Sequence, residues 1–191
     1  GNDTIIVPSD FVGDLLYGDA GADSILGGAA GETIDGGEGN DTINATGGHN
    51  SVSGGGGADS LVAHGNNDTI DGGEGNDTID ASAGANSVSG GVGNDAIFAG
   101  GEADTIDGGE GNDTIFSGGG NDRLLGGNGT DSLDASSGAD TVRGGDDNDT
   151  IIATGDGIGD ALYGDAGVDS ISAGSGADSI DGGEGGDIIN S

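Results

Sequence analysis

A nine-residue period runs through the whole chain and constrains its fold more than any other feature. The segment DGGEGNDTI occurs at 35–43, 71–79 and 107–115, and a looser copy, DGGEGGDII, occupies 181–189. Aligning the glycine runs gives 21 units of the form Gly-Gly-x-Gly-x-Asp-x-aliphatic-x, two of which have eleven residues. Glycine destabilises a helix by about 1 kcal/mol per position, and no apolar stripe of 3.6-residue period is present. The period therefore excludes a helical fold.

Each unit predicts a six-residue turn followed by a three-residue strand with one inward-facing side chain. The eighth residue is aliphatic in every unit, and successive side chains of a strand point to opposite faces. One such strand cannot bury its side chain alone, whereas two units closed into an 18-residue coil can stack around a narrow aliphatic seam between two parallel sheets. We therefore predict an all-β protein, a parallel β-roll solenoid of about ten and a half coils, forming one domain over residues 1–191.

A longer period is also present. Residues 1–45 match residues 147–191 at 27 of 45 positions, and the two eleven-residue units, Val7–Tyr17 and Ala153–Tyr163, lie in register within that match. We expect the chain to be an excerpt of a longer repetitive protein. The eleven-residue units are predicted to bulge as loops, where apolar side chains such as Phe11 would be the contact points for a neighbouring domain.

Alternate units fall on opposite edges of the coil, and these two edges differ in chemistry. The sixth residues of the first edge are all aspartate, namely Asp3, Asp23, Asp41, Asp59, Asp77, Asp95, Asp113, Asp131, Asp149, Asp169 and Asp187. The sixth residues of the second edge are Asp14, Glu32, Asn50, Asp68, Asn86, Asp104, Asp122, Asp140, Asp160 and Asp178. From the second unit on, first-edge turns begin with Gly, whereas second-edge turns mostly begin with Ala or Ser.

The charge of the chain indicates either disorder or a stabilising partner from outside the polypeptide. The formal net charge is −34, from 36 acidic against 2 basic residues, and only 3% of the residues are aromatic. So acidic a chain with so little apolar surface is typical of disorder unless something else stabilises it. Its surface would repel nucleic acid and attract cations. No apolar run approaches the roughly 20 residues of a membrane span, and no signal peptide is recognisable.

The aspartate rows predict calcium sites. Stacked in register, equivalent carboxylates lie about 4.8 Å apart and repel one another unless a cation lies between them. Calcium takes six to eight oxygen ligands in flexible geometry, magnesium demands stricter geometry, and zinc prefers the His and Cys that this chain largely lacks. The glycines let the turn backbone curl so that its carbonyls converge. Candidate ligands are the aspartates of both edges, the first edge more strongly, with the turn carbonyls of Gly36, Gly72, Gly90, Gly108 and Gly126.

Four units match a known pattern in full. GGEGNDTIN (36–44), GGEGNDTID (72–80), GGVGNDAIF (90–98) and GGEGNDTIF (108–116) resemble the calcium-binding nonapeptide GGxGxDxUx of RTX proteins. The resemblance implies a parallel β-roll in which each calcium ion lies between a turn and the equivalent turn one coil later. It also implies secretion, usually by a bacterial type I exporter, and folding triggered by external calcium.

We expect a calcium-binding structural module of a secreted or cell-surface bacterial protein, monomeric and contacting neighbouring domains of its parent chain. No nucleophile elbow, zinc-protease motif or P-loop is present, so we expect no enzymatic activity. Two alternatives stay open: a surface-recognition solenoid such as an ice-binding or adhesin segment, and an accessory repeat module of a secreted enzyme. We further expect Asp77→Ala to weaken ion-dependent folding markedly and Asn86→Ala to affect it little.

Outward-facing residues carry three smaller predictions. Phe98 and Phe116 share the ninth position one coil apart and are expected to stack. Arg123 and Arg143 are expected to pair with nearby acids rather than to form an anion site. The acids before the Gly-Gly pairs, such as Asp35, are expected to be solvated.

Overall fold

The structure is a computed structural model that describes residues 1–7 and 12–191, so the predicted contact point Phe11 lies outside it. Within those ranges every regular element is a strand, and the strands alternate strictly between two parallel sheets. The odd-numbered strands form an 11-stranded sheet and the even-numbered strands a 10-stranded sheet. The described part of the chain contains no helix that could cross a membrane.

In both sheets the strands follow one another in chain order. The first sheet contains β1 (Thr4–Ile6), β3 (Ser24–Leu26), β5 (Thr42–Ala45), β7 (Ser60–His64), β9 (Thr78–Ala83), β11 (Ala96–Gly100), β13 (Thr114–Gly118), β15 (Ser132–Asp134), β17 (Thr150–Ile152), β19 (Ser170–Ser172) and β21 (Ile188–Asn190). The second sheet contains β2 (Leu15–Tyr17), β4 (Thr33–Glu38), β6 (Ser51–Gly56), β8 (Thr69–Glu74), β10 (Ser87–Val92), β12 (Thr105–Glu110), β14 (Arg123–Asn128), β16 (Thr141–Asp146), β18 (Ala161–Ala166) and β20 (Ser179–Asp181).

The register between strands confirms the 18-residue coil. Each strand pairs with the strand one coil later, and equivalent repeat positions face each other, as Ile79 faces Ile97 and Val88 faces Ile106. The offset rises to 20 residues where an eleven-residue unit intervenes, as between Thr150 and Ser170. In-register pairing stacks every repeat position into a row along the solenoid, which is why a nine-residue pattern becomes a set of ladders.

The core is a single seam of eighth-position side chains between the two sheets. Most of these side chains are almost fully buried, namely Leu16, Ile25, Ile34, Ile43, Val52, Leu61, Ile70, Ile79, Val88, Ile97, Ile106, Ile115, Leu124, Leu133, Val142, Ile151, Leu162 and Ile171. The seam also contains the alanines that begin most second-edge turns, Ala45, Ala63, Ala81, Ala99, Ala135, Ala153 and Ala173. These alanines are therefore core residues as well as turn residues.

Most strands of the second sheet, and several of the first, are longer than the three residues that the sequence pattern predicts. The three-residue strand is correct for β3, but β4 continues for six residues through Gly36 and Gly37. Gly37 keeps its place in the ladder with φ +97°, and a Cβ there would run into the carbonyl oxygen of Asp19 in the preceding coil. Only glycine combines this backbone conformation with so close an approach. The glycine pair is therefore both the end of a strand and the start of a turn.

The eleven-residue unit Ala153–Tyr163 forms the predicted loop. Residues 154–159 contain no strand and are all exposed, and Ile158 retains 48% of its surface. The flanking Ile151 and Leu162 remain fully buried in the seam. The two extra residues are thus accommodated outside the core without disturbing the stack.

Candidate metal centre

The aspartates of the first edge lie immediately before the strands of the first sheet and face the interior. Those from Asp23 to Asp169 are only 1–3% exposed, whereas Asp3 at one end is exposed and Asp187 at the other is half-buried. Carboxylates are rarely buried so completely without a partner of opposite charge. Two arginines are the only basic side chains besides histidine in the chain, so the polypeptide cannot neutralise such a row.

One oxygen of each buried first-edge carboxylate has a structural role. The Oδ1 atom of Asp41 accepts a hydrogen bond from the backbone N–H of Asp23 at 2.8 Å, and the Oδ1 atom of Asp59 accepts one from Asp41 at 2.7 Å. The same bond continues along the edge, joining each coil to the next. The turns are therefore linked by a ladder of side-chain to backbone hydrogen bonds, and only Oδ2 is left for another ligand.

The second carboxylate oxygen is buried and has no hydrogen-bond partner. This holds on the first edge for Oδ2 of Asp23, Asp41, Asp59, Asp77, Asp95, Asp113, Asp131, Asp149 and Asp169. On the second edge it holds for Oδ2 of Asp68, Asp104, Asp122 and Asp140. A buried polar atom without a partner is costly and uncommon, and the cost is larger for a charged group. Because the same unpartnered oxygen recurs in coil after coil, we infer that each one binds the same kind of ligand, one that is coordinated by oxygen atoms.

Backbone carbonyls converge on the same places. The position that a Cβ would occupy on Gly54 lies 2.5 Å from Oδ2 of Asp59 and 2.5 Å from the carbonyl oxygen of Gly72 in the next coil. At Gly90 the corresponding oxygens, of Asp95 and Gly108, also lie 2.5 Å away. Each predicted carbonyl lies beside an Oδ2 atom in this way, the carbonyls being those of Gly36, Gly72, Gly90, Gly108 and Gly126.

This donor set suits a hard cation. Within the described ranges, no three His, Cys, Asp or Glu side chains cluster as a metal site, so an ion here would need backbone oxygens as well as carboxylates. Calcium accepts mixed carboxylate and carbonyl ligation in flexible geometry, whereas zinc prefers nitrogen and sulfur. The oxygens that the structure brings together therefore fit calcium.

Burial in an unneutralised row makes the carboxylates hard to ionise. Burial raises the pKa of the Asp95 and Asp113 carboxyls to about 6 and that of Asp149 to about 7. The hydrogen bond from the preceding coil opposes this rise, and repulsion from neighbouring aspartates adds to it. On the second edge burial likewise raises the pKa of Asp104 and Asp140 to about 6. A bound cation would lower all these values by favouring the charged form.

The two edges differ in how the first residue of the turn is used. On the first edge a methyl group at Gly54 would occupy the space between Oδ2 of Asp59 and the Gly72 carbonyl. On the second edge most turns begin with an alanine whose methyl group the fold accommodates, as in the fully buried Ala63 and Ala81. The space around Oδ2 is therefore shaped differently on the two edges. The terminal second-edge residues Asp14 and Asp178 are half-buried, and Asp160 is 7% exposed.

A further ladder on the first edge escaped the sequence analysis. The Oδ1 atoms of Asn76 and Asn94, at the fifth repeat position, accept the backbone N–H of the fifth residue one coil later at 2.8 and 2.7 Å. Asn40 and Asn112 do the same with Ala58 and Thr130. The recurrent Asn before Asp in GEGND was the available signal. These asparagines therefore link the turns of successive coils, next to the aspartates.

Two of the smaller predictions for outward residues, the phenylalanine stack and the pairing of Arg143, agree with the structure. Phe98 and Phe116 stack with ring centroids 5.4 Å apart and an interplanar angle of 4°. Arg143 pairs with Asp165 at 2.9 Å and lies 4.3 Å from the centre of the Tyr163 ring. Asp35 is half-buried, whereas the equivalent Asp71, Asp107 and Asp181 are exposed as predicted.

Comparison with known proteins agrees with this geometry. A search of curated proteins found no match to the chain. The family model of the RTX calcium-binding nonapeptide repeat (4 copies) matches it repeatedly, over residues 13–43, 26–61, 62–97, 89–124, 98–133, 125–157 and 154–189. These matches extend over nearly the whole sequence, and such repeats are typical of secreted bacterial proteins. The chain belongs to the RTX calcium-binding repeat family, whose β-roll is a structural rather than a catalytic module.

Proposed function

We propose that the chain is a calcium-dependent structural module whose ions lie between successive turns of the first edge. The observation that carries this proposal is the row of buried Oδ2 atoms without hydrogen-bond partners, each beside a carbonyl oxygen of the next coil. In this proposal the first-edge aspartates and the first glycine carbonyls are the ligands. Eleven turns leave ten gaps, so one divalent ion in each gap would add 20 positive charges and reduce the formal net charge from −34 to −14.

Calcium binding would then supply the free energy that folds the chain. Adjacent carboxylates about one strand spacing apart repel in the folded state, and they separate when the chain unfolds. A ligand that binds only the folded form stabilises it, and sites assembled from different coils do not exist in the unfolded chain. The proposal places this folding outside the cell, where calcium reaches the millimolar range of extracellular modules. Export through a type I system belongs to the same proposal.

The direct test is a calcium titration followed by circular dichroism and calorimetry. The expected result is a chain with little β-structure in excess chelator that folds cooperatively at about 10⁻⁴–10⁻³ M calcium. Magnesium at the same concentrations is expected to fold it poorly, because magnesium demands stricter geometry and dehydrates reluctantly. Full β-content in excess chelator would contradict the proposal.

The wider role that we propose is that of a stabilising or spacing segment, one domain over residues 1–191, monomeric and without enzymatic activity. The regular, unbranched stack of coils suits such a role, because each coil contacts only its neighbours and the length scales with the number of repeats. Analytical ultracentrifugation in saturating calcium tests the monomer. The expected particle is elongated, and a concentration-dependent mass would contradict it.

A further inference from the structure

Asn86 occupies the sixth position of a second-edge turn and is buried, with 4% of its surface exposed. Its Oδ1 atom accepts the backbone N–H of Asp68 at 2.9 Å, as the carboxylate Oδ1 does in the other turns. Its Nδ2 atom donates to the carbonyl oxygens of Ala81 at 2.6 Å and Gly84 at 2.8 Å. The amide therefore satisfies two carbonyls of its own turn.

The neighbouring turn shows what an aspartate lacks at this position. Asp104 lies one coil later, and its Oδ1 atom accepts the backbone N–H of Asn86 at 2.7 Å. Its Oδ2 atom, the counterpart of the asparagine Nδ2, is buried and has no hydrogen-bond partner. A carboxylate oxygen cannot donate, so it repels a carbonyl oxygen where an amide nitrogen would bind it. An aspartate turn therefore needs a cation that the Asn86 turn does not.

Asn50 shows a weaker form of the same arrangement. It is also 4% exposed, and its Nδ2 atom donates to the carbonyl oxygen of Ala45 at 3.4 Å and to Oδ1 of Asp68 at 3.1 Å. Its Oδ1 atom accepts the backbone N–H of Glu32 at 3.0 Å. The two asparagines thus share one role on one edge: the amide donates inward while the ladder between coils is kept.

We infer that Asn50 and Asn86 take the place of calcium at their turns, so that these two turns fold without an ion of their own. The ions of the second edge then belong to the turns of Asp68, Asp104, Asp122 and Asp140, whose Oδ2 atoms are buried and have no hydrogen-bond partner. This inference rests on the proposed function and refines it. The second edge therefore depends on ions at its aspartate turns and not at the turns of Asn50 and Asn86.

The test compares the number of calcium ions per folded chain in three variants with the unmodified chain. The ions are counted by native mass spectrometry and by elemental analysis after removal of free calcium. Asn86→Asp is expected to gain at least one ion, because it restores a buried carboxylate beside the Ala81 and Gly84 carbonyls. Asn190→Asp adds the same charge at an exposed position in β21 and is expected to leave the count unchanged.

Asp104→Asn is the reciprocal variant, and it decides the matter if Asn86→Asp does not fold. It is expected to keep its β-structure in saturating calcium and to lose at least one ion. An unchanged ion count in folded Asn86→Asp would overturn the inference, as would an unchanged count or loss of folding in Asp104→Asn. In those cases the unmodified chain still binds calcium and the proposed function stands. An unmodified chain that binds no calcium would instead refute the proposed function.

Discussion

Each first-edge aspartate divides two tasks between its two carboxylate oxygens. The Oδ1 atom of Asp77 accepts the backbone N–H of Asp59 at 2.8 Å, while its Oδ2 atom is buried beside the carbonyl oxygen of Gly90. The first contact joins coils directly, and the second is the one that we assign to calcium. Removing the side chain therefore affects both the ladder and the ion.

Truncation of a first-edge aspartate should raise the calcium concentration needed for folding. Asp77→Ala removes a charged hydrogen bond, worth about 1.5–3 kcal/mol, together with a proposed calcium ligand. We expect the folding midpoint, followed by circular dichroism, to move to clearly higher calcium. Asp71→Ala is the matched control, because Asp71 is an exposed acid in β8. Equal shifts for the two variants would show that only overall charge matters.

The first glycine of a first-edge turn leaves space that a methyl group would fill. Gly54→Ala would place its Cβ between Oδ2 of Asp59 and the Gly72 carbonyl, so we expect at least one ion fewer per chain in calorimetric titration. The control is Ala63→Gly on the second edge, which removes a buried methyl group. That change should lower stability without altering the ion count. A full complement of ions in Gly54→Ala would count against the assigned ligands.

The aspartates and the glycine carbonyls could be predicted as ligands from the sequence, whereas Asn86 reads there as a simple departure from the pattern. The repeat motif shows only that Asn86 replaces the usual aspartate. The role of its amide depends on which carbonyl oxygens lie next to it, and these are known only from the structure. Since Asn86 donates to Ala81 and Gly84, Asn86→Ala should cost about 1–3 kcal/mol through unpaired buried groups. Its cost should be the same at every saturating calcium concentration, as urea unfolding would show.

Nearly every strand contributes one large aliphatic side chain to the core, so one truncation removes about half of the core packing of its coil. Ile79 in β9 is fully buried between Leu61 and Ile97 of the adjacent strands. We expect Ile79→Ala to lower the free energy of unfolding by roughly 2–5 kcal/mol in urea at saturating calcium. Val92 in β10 is 49% exposed, and Val92→Ala should change stability by less than about 0.5 kcal/mol. Similar losses in both variants would contradict a single aliphatic seam.

The alternation of the strands could be predicted from the sequence, but their lengths could not. The aliphatic eighth residue fixes which side chain points inward, and the nine-residue spacing fixes the coil. Gly36 and Gly37, in contrast, read as a turn because glycine is common in turns. In the structure they extend β4, because the neighbouring coils supply ladder partners that no single repeat contains. The lengths of the strands therefore depend on pairing between coils, which the sequence of a single unit does not reveal.

The whole solenoid carries its acids in rows, and this makes its ion-free stability depend on pH. Folded pKa values of about 6 for Asp59, Asp113 and Asp131 lie above the value of 3.8 expected for an unfolded chain. The folded form therefore binds more protons between these values, so the stability that these carboxyls contribute is fully present below pH 4 and is lost as the pH rises through 6. Asp149, with a pKa of about 7, extends this window upward.

In excess chelator we therefore expect more β-structure at pH 5 than at pH 7.5, measured by circular dichroism. Sodium chloride at pH 7.5 is the control, because salt screens exposed charges but does not neutralise buried carboxylates. Salt is expected to restore less structure than acid does. Calcium affinity should increase with pH over the same window, since protons and ions compete for the same oxygens. Structure that is greater at pH 7.5 in chelator would reverse the predicted sign.

Parallel pairing at a fixed offset also determines how the solenoid should unfold under mechanical tension. Within the described ranges, every pairing between strands of a sheet joins residues one coil apart, 18 to 20 positions along the chain, so no pairing links distant coils. A coil that loses its ion would unfold locally, while the coils on either side stay folded. Under tension such a molecule should lengthen in small, evenly sized steps as coils detach one by one. In a single-molecule stretching experiment, the length gained in each step should correspond to the residues of one coil.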